Sequence, residues 1–224
     1  MAQRLFTLAA LAAGLLSLGC AHAQGAGSLI VRVGATEISP DTKSGNLSSP
    51  SFAGTRALVG ANMQPTGGVT WMWTGNLSLD LPLAAGFKHD ITGDGAIAGV
   101  GKIGEVKALP ATLLVQYRFG SPDAAVRPYV GAGPTYAKFY GGRGTMALTG
   151  LTGGTPANPT GLSVQSKWTA SGQVGLAWRL STQWSIDTSM TYTPLKTRTT
   201  LSTGQTLDAT LDPTSVSVGL GYRF

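Results

Sequence analysis

Residues 214–224 read Thr-Ser-Val-Ser-Val-Gly-Leu-Gly-Tyr-Arg-Phe, and their alternation decides the fold. Thr214, Val216, Val218, Leu220, Tyr222 and Phe224 share one parity, while Ser215, Ser217, Gly219, Gly221 and Arg223 share the other. A two-residue period with one apolar face and one small or polar face is a strand that is apolar on one side. A tilted strand needs roughly 9 to 11 residues to cross a bilayer, and this segment supplies them. It ends on Phe224, the terminal aromatic pattern that outer-membrane barrels present to their insertion machinery, which makes Tyr222 and Phe224 the candidate insertion signal.

Working outward, seven more period-two segments precede it. Ser28 to Thr36 sets Leu29, Val31 and Val33 against Ile30, Arg32 and Gly34. Gly68 to Thr74 and Leu77 to Leu83 form a hairpin around Gly75-Asn76. Thr112 to Phe119, Val126 to Phe139, Lys167 to Leu180 and Trp184 to Tyr192 follow. The faces of Val126 to Phe139 do not separate, because Gly, Pro and Tyr fall on both. Three connections are short, at Gly75-Asn76, Gly120 to Asp123 and Ser181-Thr182. Four are long, spanning 37–67, 84–111, 140–166 and 194–213. Alternating long and short connections predict an all-β chain, an eight-stranded antiparallel transmembrane β-barrel with four long external loops and three short periplasmic turns. Trp71, Trp73, Trp178, Trp184, Tyr222 and Phe224 lie near strand ends, as interfacial girdles require.

The N-terminus carries Arg4, an apolar run from Leu5 to Leu18, and Ala21-His22-Ala23 before Gln24. This pattern predicts a secretory signal over 1–23 and a mature outer-membrane barrel over 24–224. Lipidation of Cys20 competes with that reading, but Ser17 stands where leucine is usual. Cleavage after Ala23 discards the one cysteine of the chain, which removes disulfides and thiol chemistry from consideration. No other segment approaches eighteen continuous apolar residues, so a helical membrane protein is excluded. The chain is 42% hydrophobic and 12% charged, with 32 glycines, a balance suited to a surface that faces lipid. Its formal charge is +6 including Arg4, without the Lys/Arg cluster expected of a nucleic-acid binder. The scattered cations suit anionic lipopolysaccharide or plain solvation.

The inward faces collect Arg32, Asp80, Arg118, Arg179, Asp187 and Arg223, with Gln116 and Gln173. In a lumen just wide enough for side chains, these predict a plug of ion pairs rather than a wide pore. Met72 and Leu114 are inward residues that are not polar. With Phe87 and Trp168 near the loop bases, they are candidates for a mouth that takes an apolar ligand. Pro82 and Pro134 fall inside predicted strands, where each lacks a ladder donor, and mark candidate seams in the wall. His89 is the one histidine after the signal, placed in a loop beside Lys88 and Asp90 with no serine nearby. That is no basis for hydrolysis, and with Asp90 and Asp94 it reads as a solvated group, so neither an enzyme, a metal nor a cofactor is expected.

Four motifs resemble the outer-membrane protein W (OmpW) family: Gly86-Phe87-Lys88-His89, Leu109-Pro110-Ala111-Thr112, Arg127 to Gly133, and Asp212-Pro213 with Gly221 to Phe224. The similarity runs from about Leu29 to Phe224. Gly86 and Ala111 stand where the family pattern has proline. The resemblance implies passage of small hydrophobic solutes from the external mouth with sideways release into the membrane. The alternative is a structural or adhesive scaffold whose external loops bind a partner. Expected partners are outer-membrane lipid, lipopolysaccharide, the insertion machinery and small hydrophobic solutes, and not nucleic acid.

Overall fold

A computed structural model describes residues 25–224. The segment 1–23 expected to be a secretory signal, with Cys20, lies outside the described residues. The elements in chain order are β1 (Leu29–Ser39), β2 (Lys43–Ser44), β3 (Thr55–Val59), β4 (Asn62–Met72), β5 (Leu77–Ala84), β6 (Phe87–Gly95), β7 (Lys102–Thr112), β8 (Leu114–Arg118) and β9 (Val126–Gly144). After a short helix α1 (Met146–Leu151) come β10 (Leu162–Val164), β11 (Lys167–Arg179), β12 (Trp184–Tyr192), β13 (Lys196–Leu201), β14 (Thr206–Thr210) and β15 (Thr214–Arg223).

Antiparallel pairing runs β1, β4, β5, β8, β9, β11, β12, β15 and back to β1, which closes an eight-stranded barrel. Closure runs from Ile30 opposite Arg223 to Ser39 opposite Thr214. In hydrocarbon every backbone polar group needs an internal partner, and a closed ladder supplies one without leaving an edge. Period-two alternation then sorts the side chains. Val33, Leu81, Val115, Val130, Val174, Ile186 and Val218 face outward, while Asp80, Gln116, Arg118, Gln173 and Asp187 are buried in the lumen. β9 resolves by the same rule: Arg127, Tyr129, Thr135 and Ala137 point inward, and Val126, Val130 and Pro134 outward. Aromatic pairs mark the two interfaces. Trp184 and Tyr222 lie 4.9 Å apart and Tyr222 and Phe224 4.8 Å apart at the periplasmic rim. Tyr136 and Trp168 are 5.0 Å apart near the external rim.

The stretches expected to be long loops are largely strand. β6 and β7 pair with each other, β7 pairs with the upper half of β9, and β3 pairs with β6. A second sheet of β10, β13, β14 and β2 covers the other side. Together they enclose an apolar core above the membrane that contains Ile91, Ile97, Ile103, Val106, Leu148, Leu162 and Leu201. Bulges between Ile91 and Thr92 and between Glu105 and Lys107 shift the register. Each shift moves the apolar residues to the other parity, so a strict two-residue search misses the strands.

Gly175 shows how tightly the lumen is filled. It lies opposite Tyr129, and a Cβ added there would sit 2.2 Å from the Tyr129 ring. The tyrosine occupies the space that glycine leaves, and its Oη donates to Asp187 Oδ1 at 2.9 Å. Gly175→Val is expected to expel the ring and destabilise the barrel by about 1–3 kcal/mol, the usual effect of overpacking. Urea unfolding in lipid vesicles checks this, with Gly172→Ala, where an added Cβ meets nothing within 4 Å, as the near-neutral control.

Candidate functional site

The lumen is layered. At its periplasmic half, Arg32 Nη2 donates to Asp80 Oδ1 at 2.6 Å, and Thr70 Oγ1 donates to the same oxygen at 2.6 Å. Arg32 also donates to Thr70 and stands 3.9 Å from Asp187. Arg118 lies 4.7 Å over the Tyr129 ring and donates to Gln116 Oε1 at 2.9 Å; Gln116 in turn donates to Gln173 Oε1 at 2.7 Å. The structure therefore brings Arg32, Asp80, Arg118 and Asp187 into one connected block, with Tyr129 as an additional member. Two expected members stand apart: Arg179 is 4.0 Å from Asp123 at the periplasmic end, and Arg223 donates to the Thr182 carbonyl. A buried charge network holds only while its members remain paired, so this block is a rigid floor.

Above the floor lies a collar of hydroxyls. Thr112 and Thr135 are 2.9 Å apart, Thr135 and Ser171 2.6 Å, and Ser171 and Thr193 2.7 Å. On the far wall Thr36 contacts both Thr66 and Ser217 at 2.8 Å. These groups come from every stave except the one made by β5 and β6, which presents Pro82, Ala84 and Phe87 at this level. A cavity of about 100 Å³ lies here, lined by Thr36, Pro82, Phe87, Pro110 and Leu114 among others. A larger one of about 130 Å³ lies above it, lined by the apolar residues of the external core and reaching Phe52, which is 71% exposed. Ile38, Pro110, Thr193 and Ser215 border both, so the two adjoin.

The mouth candidates separate accordingly. Phe87, 1% exposed, and Leu114 line the lower cavity. Met72 is fully buried beside the periplasmic end, where the Gly27 N–H donates to its carbonyl at 2.7 Å. Trp168, 72% exposed, stands on the outside of the wall. His89 is not in a solvated loop. It is buried in β6 against the upper cavity, with Nδ1 2.7 Å from the Gly60 carbonyl. Burial pushes its pKa below the ordinary imidazole value, and the Gly60 bond opposes that only in part. Because the folded value is lowered, the stabilisation is complete above the unfolded pKa of about 6.5 and is lost as the pH falls through the window below it.

One joint of the wall is open. Between β5 and β8 the ladder ends with Asp80 opposite Leu114, and between β6 and β7 it resumes at Phe87 opposite Ala108. Residues 81–86 and 109–113 have no partner across this joint, although Leu81 to Ala84 stay paired with β4 and Leu109 to Thr112 with β9. In an antiparallel ladder both backbone groups of a residue face the same neighbour, and alternate residues face alternate neighbours. The Arg118 N–H donates to the Asn76 carbonyl at 2.7 Å, which sets the even-numbered residues of these two staves face to face. Pro82 and Pro110 belong to that set, and each lacks the N–H that would have crossed the gap. The parity also slips here, since Ala84 and Phe87 both point inward around Ala85-Gly86. At Pro134 the wall is continuous: the residue lies opposite Ala170 of β11, and its carbonyl accepts from the Leu113 N–H at 3.1 Å.

The sequence profile of the OmpW family matches residues 25–224. The chain is 33% identical over 230 residues to outer membrane protein W of Vibrio cholerae, covering 100% of both chains. It is 32% identical over 222 residues to outer membrane protein W of Escherichia coli, covering 97% of this chain and 98% of that one. The crystal structure of outer membrane protein OprG from Pseudomonas aeruginosa superposes with a TM-score of 0.79 at 26% identity, over 91% of this chain and 99% of that one. A closed eight-stranded barrel with this sequence identity along its whole described length belongs to the OmpW family of bacterial outer-membrane proteins.

Proposed function

We propose that the barrel admits small hydrophobic molecules from outside into the apolar chamber and releases them sideways into the membrane through the joint between β5 and β7. The unpaired stretch of wall at Pro82 and Pro110 carries this reading. An apolar solute that sinks through the upper cavity meets hydroxyls and ion pairs beneath it, and desolvating them without replacement bonds costs several kcal/mol. Pro82, Ala84 and Phe87 offer the apolar way out at that same level. An interrupted ladder in hydrocarbon ordinarily leaves orphan donors and acceptors, and proline removes the donor, which lowers the cost of holding the joint apart. The apolar chamber above the polar floor favours this conduit over a scaffold with a packed lumen. Tyr222 and Phe224, packed edge to face at the periplasmic rim, serve as the signal read by the insertion machinery.

Replacing Pro82 and Pro110 together with Val supplies two donors aimed across the joint. At about 1 kcal/mol per bond, the open population is expected to fall roughly 30-fold. Uptake of N-phenylnaphthylamine into vesicles carrying the barrel should fall with it. Unchanged uptake, with hydrogen exchange showing both new amides protected, would remove the lateral route. Pro134→Val, in a continuous part of the wall, should leave uptake as it was.

The floor predicts the opposite pattern. Asp80→Leu leaves Arg32 buried without its nearest carboxylate and is expected to cost about 3–5 kcal/mol of barrel stability. Solute uptake should persist in the folded fraction. Collapse of uptake there would mean that the route runs through the floor.

A further inference from the structure

A second feature stands on the lipid side of the same wall. Lys88, Lys102, Lys107, Lys138 and Arg143 lie on the outward faces of β6, β7 and β9, with Asp90, Asp94 and Glu105 as the acids among them. Five cations against three anions leave a local charge of +2. Lys88 and Lys107 are direct cross-strand partners, Lys107 lies opposite Tyr140, Leu109 opposite Lys138, and Glu105 opposite Arg143. Like charges directly opposite in a sheet are unfavourable unless something neutralises them. Internal neutralisation is partial: Lys88 reaches Glu105 at 2.8 Å, and Lys102 reaches Glu105 at 2.9 Å and Asp90 at 2.7 Å. Lys102 and then Lys88 hold the Glu105 carboxyl down to about 2, so that acid stays ionised and occupied. Lys107, Lys138 and Arg143 make no ion pair among the described residues.

Height and direction identify what can complete the cluster. Tyr136 and Trp168 mark the external interface, and Lys138 lies two residues further along β9, about 7 Å of strand at 3.3 Å per residue. Lys138 thus stands at the level of lipid headgroups, the Lys88–Lys107 pair lies two residues further along the wall, and Lys102 and Arg143 stand higher still, all facing away from the lumen. The opposite wall differs, since β1, β4 and β15 carry outward Glu37 there and no outward cation. A freely dissolved anion has no reason to prefer the lipid-facing side of one wall; a phosphate held by acyl chains in the outer leaflet does.

We propose that this face binds the phosphate groups of the outer leaflet's phosphorylated glycolipid, lipid A, with Lys107 and Lys138 as principal ligands and Lys88 pre-positioned by Glu105. Arg143 closes the upper side of the site. The lipid then lies against the outer surface of the joint, where the end of the Tyr140 ring rests on Gly86. This assignment does not depend on the conduit, because lipid binding is read without any transported solute.

Native mass spectrometry of the detergent-solubilised barrel with diphosphoryl lipid A tests it. Wild type should retain the lipid, and Lys107→Gln/Lys138→Gln should bind about 30-fold more weakly, the expectation for two surface lysines. Lys43→Gln/Lys196→Gln removes the same charge elsewhere and should bind as wild type. Equal retention by both double variants would overturn the site. So would equal retention of dephosphorylated lipid A by wild type, a readout that needs no variant to fold. Displacement by inorganic phosphate at the same concentration would show a general anion site and overturn the lipid assignment.

Discussion

The rest of the structure depends on a single requirement, that no backbone N–H or C=O be left without a partner in hydrocarbon. It makes the terminal strand pair with the first, and it dictates what a gap in that wall must look like. A gap made of ordinary residues would expose a donor and an acceptor at alternate positions on each side. Pro82 and Pro110 each remove a donor that would have pointed across the joint, one from either side. The two prolines therefore mark the part of the wall where separation costs least, while Pro134 is absorbed into a continuous ladder.

The same wall sets the layering inside it. An eight-stranded barrel is just wide enough to be filled by side chains, so empty space appears only where those side chains are small. Arg118, Tyr129, Gln116 and Gln173 fill the floor. One level up the inward residues are Thr36, Ser217, Thr66, Thr112, Thr135 and Ser171, and a cavity of about 100 Å³ remains. Their hydroxyls bond around the wall, so the collar is polar without reaching across the lumen. Size sets the place of the chamber and hydrogen bonding sets the character of its base.

How much of this was legible in the sequence follows from where period two holds. Strands such as Lys167 to Leu180 and Thr214 to Phe224 keep strict alternation because one face meets lipid along their whole length. The lumen charges Arg32, Asp80, Arg118 and Asp187 could be placed from parity alone. β9 hid Arg127 and Tyr129, because Gly131 and Gly133 share their parity and give no contrast with Ala132. The external strands were hidden by bulges, which carry Ile103 and Val106 to opposite parities, and by the Thr-rich alternation of 195–201, where only Leu195 and Leu201 are apolar. Trp168 and Met72 show the converse limit: a residue type suited to a ligand mouth does not say which side of the wall, or which end of the barrel, it occupies.

The sorting of cations follows from the same environments. Below the collar the inward cations are Arg32, Arg118, Arg127, Arg179 and Arg223, without a lysine among them. A buried guanidinium spreads its charge, offers several donors in fixed directions and stacks on an aromatic face, as Arg118 does on Tyr129, whereas a lysine ammonium there would retain one compact and strongly hydrated charge. On the outward face from the headgroups upward the balance reverses to Lys88, Lys102, Lys107 and Lys138 with Arg143 alone. Long flexible stems let those ammonium groups move along the apolar surface toward headgroups and water. A lumen arginine needs its partners supplied by the fold, and the connected block around Asp80 and Asp187 supplies them. The outward lysines need theirs from the leaflet. The two sets of charges therefore belong to different parts of the barrel's work: the inner set holds the floor rigid, and the outer set ties the wall to the lipid beside its one open joint.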